Sequence, residues 1–225
     1  MNLGTVPLFT TNLIQYERPD ELNFSPGLVE YLYDARTKSP YEPAFSTRGN
    51  NAWHSKDNLH ALDFDWSRKL KEMIIQVSAV YYTALTNGQE LPPVEFLRIK
   101  CWALILGQYS YSNYHTHPNS DISGVYWVTK PDLPDYEGRF CVPDVRGGAN
   151  GSRLEGSQMH YHIPEPGSGL VFPSWLPHFV EPHYQEGDRI SVSWNLFIKD
   201  PPDDYTGPRS ISQNSWRDED GEHWG

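Results

Sequence analysis

Two hydrophobic periods divide the chain. Between residues 63 and 86, Leu70, Met73, Ile74, Val77, Val80, Tyr81 and Leu85 recur at spacings of three and four, which predicts a long helix burying one face. Asn87-Gly88 and then Pro92-Pro93 stop it. From about residue 94 the period drops to two. Over 94–106, Leu97, Ile99, Cys101, Ala103 and Ile105 fall on one side, and Phe96, Arg98, Lys100, Trp102 and Leu104 on the other. Residues 189–199 alternate in the same way, with Ile190, Val192, Trp194, Leu196 and Ile198 opposed to Arg189, Ser191, Ser193 and Asn195. Shorter strands are expected at 123–129 and 169–173. A first helix is expected from Ser25 through Arg36, with Ser25 as cap and Pro26 in the first turn. The Gly-rich, polar stretch 146–156 predicts a loop. Residues 1–199 therefore read as a single domain, mixed and partly helical up to about 90 and β over 94–199. Residues 200–225 are acidic and Pro-containing, with little apolar content beyond two tryptophans, and read as a tail ordered only where it docks.

Composition sharpens this in three respects. The 225 residues are enough to bury a core without disulfide staples, and Cys101 and Cys141 form no metal-binding spacing. Aromatics at 14%, with 19 prolines and 17 glycines, favour short strands and turns over a helix bundle. The formal net charge of −11 argues against broad nucleic-acid binding, because an acidic surface repels phosphate backbones. No basic patch followed by an apolar run opens the chain, and no stretch is apolar enough to span a bilayer. The expectation is a cytoplasmic protein, or one of the host cytoplasm if the source is viral, without a membrane partner.

The candidate chemistry lies in the β region. His115 and His117 stand at i and i+2, so on a strand both imidazoles share a face and can reach one ion; Asp121 offers a carboxylate nearby. His160 and His162 repeat the spacing but are not expected to bind the catalytic metal. His178 follows an apolar strand and turn. On the polar, inward face of the last strand, Arg189 has no acidic residue beside it. A buried guanidinium needs an anion, and a dicarboxylate cosubstrate supported by the Ser191 hydroxyl would provide one.

These runs resemble a known family. His115-Thr116-His117-Pro118-Asn119-Ser120 with Ser123-Gly124-Val125-Tyr126-Trp127-Val128, and Gly169-Leu170-Val171-Phe172-Pro173-Ser174-Trp175-Leu176 with His178, Arg189, Ser191 and Asn195, resemble two motifs of a 2-oxoglutarate/Fe(II) oxygenase family. That family is related to prolyl 4-hydroxylases and occurs in bacteria and their viruses. Trp53-His54-Ser55 and Pro143-Asp144-Val145-Arg146 are looser matches. The resemblance covers about 50–199. It implies a double-stranded β-helix (a jelly-roll, cupin-like fold) with N-terminal helices packed outside and iron at the open end. It further implies Fe(II) and 2-oxoglutarate as cofactors, with ascorbate as a candidate reductant. The implied reaction is hydroxylation of an unactivated C–H bond with release of succinate and CO2. His115, His117 and His178 would be the metal ligands, and Arg189 and Ser191 would hold the far carboxylate. The family's usual second ligand is an acid, whereas His117 stands there, so Asp121 stays open as the alternative carboxylate ligand. Tyr111, Tyr114, Tyr126 and Trp127 are candidates to line the pocket. Two other classes fit parts of the pattern: a cupin-like dioxygenase that needs no 2-oxoglutarate, and a non-catalytic β-barrel binding module. The substrate is not written in the sequence; a peptide, an amino acid and a small metabolite all suit it.

Overall fold

The computed structural model describes residues 10–17, 25–39, 47–49, 51–146 and 158–199. The expected tail at 200–225 and most of the 146–156 loop lie outside them. In chain order the elements are β1 (Ile14–Glu17), α1 (Ser25–Lys38), β2 (Thr47–Arg48), β3 (Ala52–His54), α2 (Asp65–Leu85), β4 (Leu97–Leu106), β5 (Tyr111–His115), β6 (Ile122–Thr129), β7 (Phe140–Pro143), β8 (Met159–His162), β9 (Ser168–Pro173), β10 (His178–Val180) and β11 (Arg189–Ile198). They form a major sheet of order β1-β9-β6-β11-β4-β3 and a minor sheet of order β2-β5-β10-β7-β8. All the strand pairings are antiparallel. This is the expected double-stranded β-helix.

The period-two pattern decides which face goes where. β11 pairs with β4 along its whole length and with β6 on its other side, so it sits at the centre of the major sheet. One face of that sheet carries Cys101, Ala103, Ile105, Val192, Trp194 and Leu196, and it packs beneath the helices with Leu28, Leu32, Leu70 and Ile74. The other face turns inward toward the minor sheet. There Leu106, Val125, Trp127, Phe140, Leu170 and Phe172 form a second, smaller core. Residues 189–195 on the odd positions are therefore interior though polar, as the alternation predicts.

Two expectations about α2 need correcting. Val80 and Leu85 are exposed, while Trp66, Ser67, Ser78 and Tyr82 are buried. Val80 lies well round the helix from the Leu70–Ile74 stripe, and Leu85 lies in the last turn. The N-terminal part also supplies more strand than its pattern suggests: β1 and β3 close the two edges of the major sheet.

Candidate metal centre and cosubstrate pocket

The minor sheet brings the histidines together. β10 is paired to β5 with His178 directly opposite His115. His117 is not on the strand, since β5 ends at His115. It reaches the same place through a turn in which its N–H donates to Ser174 O at 2.9 Å and Ser120 Oγ donates to its carbonyl at 2.9 Å. Asn119 takes φ +65° in that turn, a left-handed conformation that asparagine tolerates. One ring nitrogen from each of His115, His117 and His178 lies within 4.8 Å of the others. Among the described residues these three form the group that could hold a metal ion.

The surroundings prepare the rings for that role. His115 Nδ1 lies 2.6 Å from Asn113 O and His178 Nδ1 lies 2.9 Å from Leu176 O, so both rings carry their proton on Nδ1 and present the Nε2 lone pair. Asn195 hydrogen-bonds the His117 ring, and Ser123 Oγ holds Asn195 Oδ1 at 2.8 Å while bridging to Ser174 Oγ at 2.7 Å. Phe140 stacks on His178 with ring centroids 4.9 Å apart, and Trp102 stacks on His117 at 5.7 Å. Nε2 of His117 and Nε2 of His178 are 3.3 Å apart. Two nitrogens bound side by side to one ion at roughly 2.1 Å stand about 3 Å apart, so this spacing fits a shared metal. All three imidazoles are held neutral. Burial depresses His115; burial and then the neighbouring His115 push His117 down to about 3; burial and then its two neighbours hold His178 well below the usual range. Neutral imidazoles are the metal-binding form.

Asp121 is placed elsewhere. Its Oδ2 accepts the Ile198 N–H at 2.6 Å, and its charge reaches Tyr82 of α2, so it ties the end of β11. His160 and His162 lie on β8, outside the triad.

A cavity of about 630 Å³ opens over the triad and runs inward past Ser193 and Ser191 to Arg189. Arg189 is 1% exposed, and its Nε and Nη1 have no hydrogen-bond partner. Burial alone lowers its pKa to about 10, so it remains a cation at neutral pH. A dry guanidinium without an anion is costly, and buried donors on the wall of a cavity suit a carboxylate. Of the four aromatics expected around the pocket, Tyr114 lines it. Tyr111 is exposed, Tyr126 is in the core beneath the helices, and Trp127 is in the inner core. Phe197 and Trp102 also line the cavity, with His54 of the looser Trp53-His54-Ser55 match; the alternation of the strands alone does not single out Phe197 or Trp102.

The fold is a double-stranded β-helix in which one cavity is lined by a three-histidine group that could hold a metal ion and by a buried arginine. Residues 100–195 match the family described as "Putative 2OG-Fe(II) oxygenase". No curated protein matches the sequence. Among solved structures, the chain is similar to a prolyl-4-hydroxylase from Pseudomonas putida, with 17% identity, 84% of this chain and 94% of that one covered, and a TM-score of 0.58. It is also similar to a prolyl hydroxylase from Trichoplax adhaerens in complex with a hypoxia inducible factor peptide, with 12% identity, 84% of each chain covered, and a TM-score of 0.56. A third is HygX from Streptomyces hygroscopicus with nickel and 2-oxoglutarate bound, with 14% identity, 92% and 86% covered, and a TM-score of 0.53. At these identities the structures attest the fold. No helix among the described residues is long and apolar enough to cross a membrane.

Proposed function

We propose that His115, His117 and His178 hold the Fe(II), that Arg189 with Ser191 binds the far carboxylate of 2-oxoglutarate, and that the reaction is hydroxylation of an unactivated C–H bond. The observation that carries this is the pairing, on one cavity, of a neutral three-histidine cluster with a buried arginine whose Nε and Nη1 have no hydrogen-bond partner. Iron with 2-oxoglutarate and O2 supplies the oxidising power, with succinate and CO2 as coproducts. The chain's own residues bind, orient and exclude water. Asn113 O and Leu176 O fix the tautomers of His115 and His178, Asn195 aims His117, and Phe140 and Phe172 wall off His178. Ser191 stands on the same strand face as Arg189, two residues further along. Tyr114, Trp102 and Phe197 line the same cavity and would meet the substrate. A peptide is one candidate, since the Trichoplax relative is complexed with one; an amino acid and a small metabolite also fit the volume.

A cupin-like dioxygenase without 2-oxoglutarate would account for the three histidines and leave Arg189 without purpose. The experiment that separates them is titration of 2-oxoglutarate into the anaerobic Fe(II)-loaded protein. A bidentate charge-assisted contact is worth roughly 1.5–3 kcal/mol, so Arg189→Met is expected to weaken binding by about tenfold to a few hundredfold, with Arg189→Lys between it and wild type. Iron affinity is expected to stay unchanged. Equal 2-oxoglutarate affinity in wild type and Arg189→Met would assign the arginine to the fold instead.

A further inference from the structure

The inner face of the β4–β11 pair carries a second charged feature, at the histidine end. Along it, Leu106 stands across from Arg189, Leu104 from Ser191, Trp102 from Ser193 and Lys100 from Asn195. Cross-strand partners share a face, so Lys100 points the same way as the Asn195 that holds the His117 ring. Lys100 lines the cavity, and so does Asp57. Lys100 Nζ lies 3.3 Å from Asp57 Oδ2, with the lysine side chain 23% exposed and the aspartate 52%. Among the described residues that line the cavity, Asp57 is the one carboxylate.

The fold does not depend on this ion pair. Residues 55–57 are fastened to β4 by other bonds: the Ser55 N–H donates to Ala103 O at 2.9 Å, the Cys101 N–H to Asp57 O at 2.9 Å, and the Ala103 N–H to Ser55 Oγ at 2.8 Å. An ion pair with a half-exposed member adds little to that. What these bonds do is fix Asp57 beside Lys100. An ammonium has three donors and a carboxylate about four acceptor sites, so the pair keeps most of its hydrogen-bonding capacity for whatever enters the cavity. The wall next to it is aromatic and held in place. Trp102 stacks between the rings of His54 and His117, with centroids 5.7 Å from each, and Tyr114 and Phe197 line the same cavity.

We propose that Lys100 and Asp57 read the charged head of the substrate and that the substrate is a free α-amino acid with an apolar side chain. Lys100 takes its carboxylate and Asp57 its ammonium. The proposal rests on the assignment of the histidines and Arg189 given above. A lone anion on Lys100 would stand beside the Asp57 charge, and a lone cation on Asp57 beside the Lys100 charge. A zwitterion, with both charges attached to one carbon, answers both at once and leaves neither repulsion. A residue inside a peptide carries neither charge, and a chain terminus carries one. With the head held at Lys100, the side chain of the amino acid shares the cavity with Trp102, Tyr114, Phe197 and the three histidines, which suits an apolar group presented to the metal.

The test uses the full chain loaded with Fe(II) and 2-oxoglutarate in the absence of O2, with calorimetric titration of L-leucine, L-isoleucine, L-valine, L-methionine, L-proline and L-phenylalanine in turn. At least one is expected to bind. Two analogues of that amino acid follow: its primary amide, which lacks the carboxylate, and the acid without the amino group, which lacks the ammonium. Each is expected to bind wild type about five- to thirtyfold more weakly. Lys100→Met is expected to weaken the amino acid by a similar factor and to bind acid and amide alike. Asp57→Asn is expected to weaken it too, and to bind the acids with and without the amino group alike. Fe(II) and 2-oxoglutarate, titrated separately, are expected to bind both variants as they bind wild type. A variant that weakens all three compounds by one factor would report a packing defect and overturn the proposal. So would a wild type that binds Fe(II) and 2-oxoglutarate but none of these amino acids, or that prefers their N-acetyl amides, which mimic a peptide. Those results would spare the histidines and Arg189. A wild type that fails to bind 2-oxoglutarate would instead bring down the arginine assignment, and this proposal with it.

Discussion

At the residue scale, the site depends on groups that touch the imidazoles from behind. Asn195 holds His117 and is itself held by Ser123. Partners of this kind typically contribute 10–100-fold to metal affinity. Asn195→Ala is accordingly expected to weaken Fe(II) binding by about that factor, read by competition with a chelator, with little change in fold. Burial of His117, with His115 beside it, also sets a pH dependence. His117 is neutral in the folded chain down to about pH 3 but takes a proton near pH 6.5 once unfolded. The unfolded state therefore binds more protons between those values, and stability is complete above about 6.5 and falls as the pH drops. The slope is roughly 1.4 kcal/mol per pH unit for this one group. Chemical denaturation of the metal-free protein at pH 7.5 and 5.5 is expected to show the loss; equal midpoints would contradict it.

At the element scale, the central strand does two jobs with one alternation. Its even positions lock into the helix-side core, and its odd positions furnish Arg189, Ser191, Ser193 and Asn195 to the cavity. A slip by one residue would exchange the two sets, so register is strongly held. The close approach of neighbouring β6 shows how tightly. A Cβ on Gly124 would clash with the six-membered ring of Trp194. Trp194 is fully buried and cannot swing away. Gly124→Ala is expected to cost about 1–3 kcal/mol, seen as a lower denaturant midpoint with unchanged slope. By contrast, Val80 on α2 is 59% exposed, and Val80→Ala is expected to leave the midpoint nearly unchanged.

At the scale of the whole molecule, the site joins pieces that hydrogen bonding alone links thinly. β10 has three residues, and its pairing with β5 is interrupted between His178 and Val180. A metal bound by His115, His117 and His178 would tie that junction to the 116–121 turn. Because the ion binds only the folded arrangement, it stabilises by mass action, by about 2.7 kcal/mol at a hundredfold excess over Kd. Saturating Fe(II), kept anaerobic, is expected to raise the melting temperature by several degrees, and His178→Ala is expected to abolish that rise. A preserved rise in the variant would place the metal elsewhere.

The alternation in 94–106 and 189–199 was enough to establish two central strands, the inward aim of Arg189 and the presence of a helix-covered face, because side-chain direction in a strand follows directly from position parity. The helix-period stripe was enough to place α2 outside the sheets. Short strands such as β7 and β10 were not legible. Four residues or three carry too little pattern, and long-range pairing decides whether they form. The same is true within the site. Two histidines and a third sixty-one positions on from His117 are only candidates in the sequence. The tertiary structure alone carried His117 past the strand end into the cluster, placed Asp121 on the Ile198 amide instead, and stacked His162 on Trp127 beside the arginine. Each of those outcomes rests on contacts between residues far apart in the chain, which local pattern does not encode.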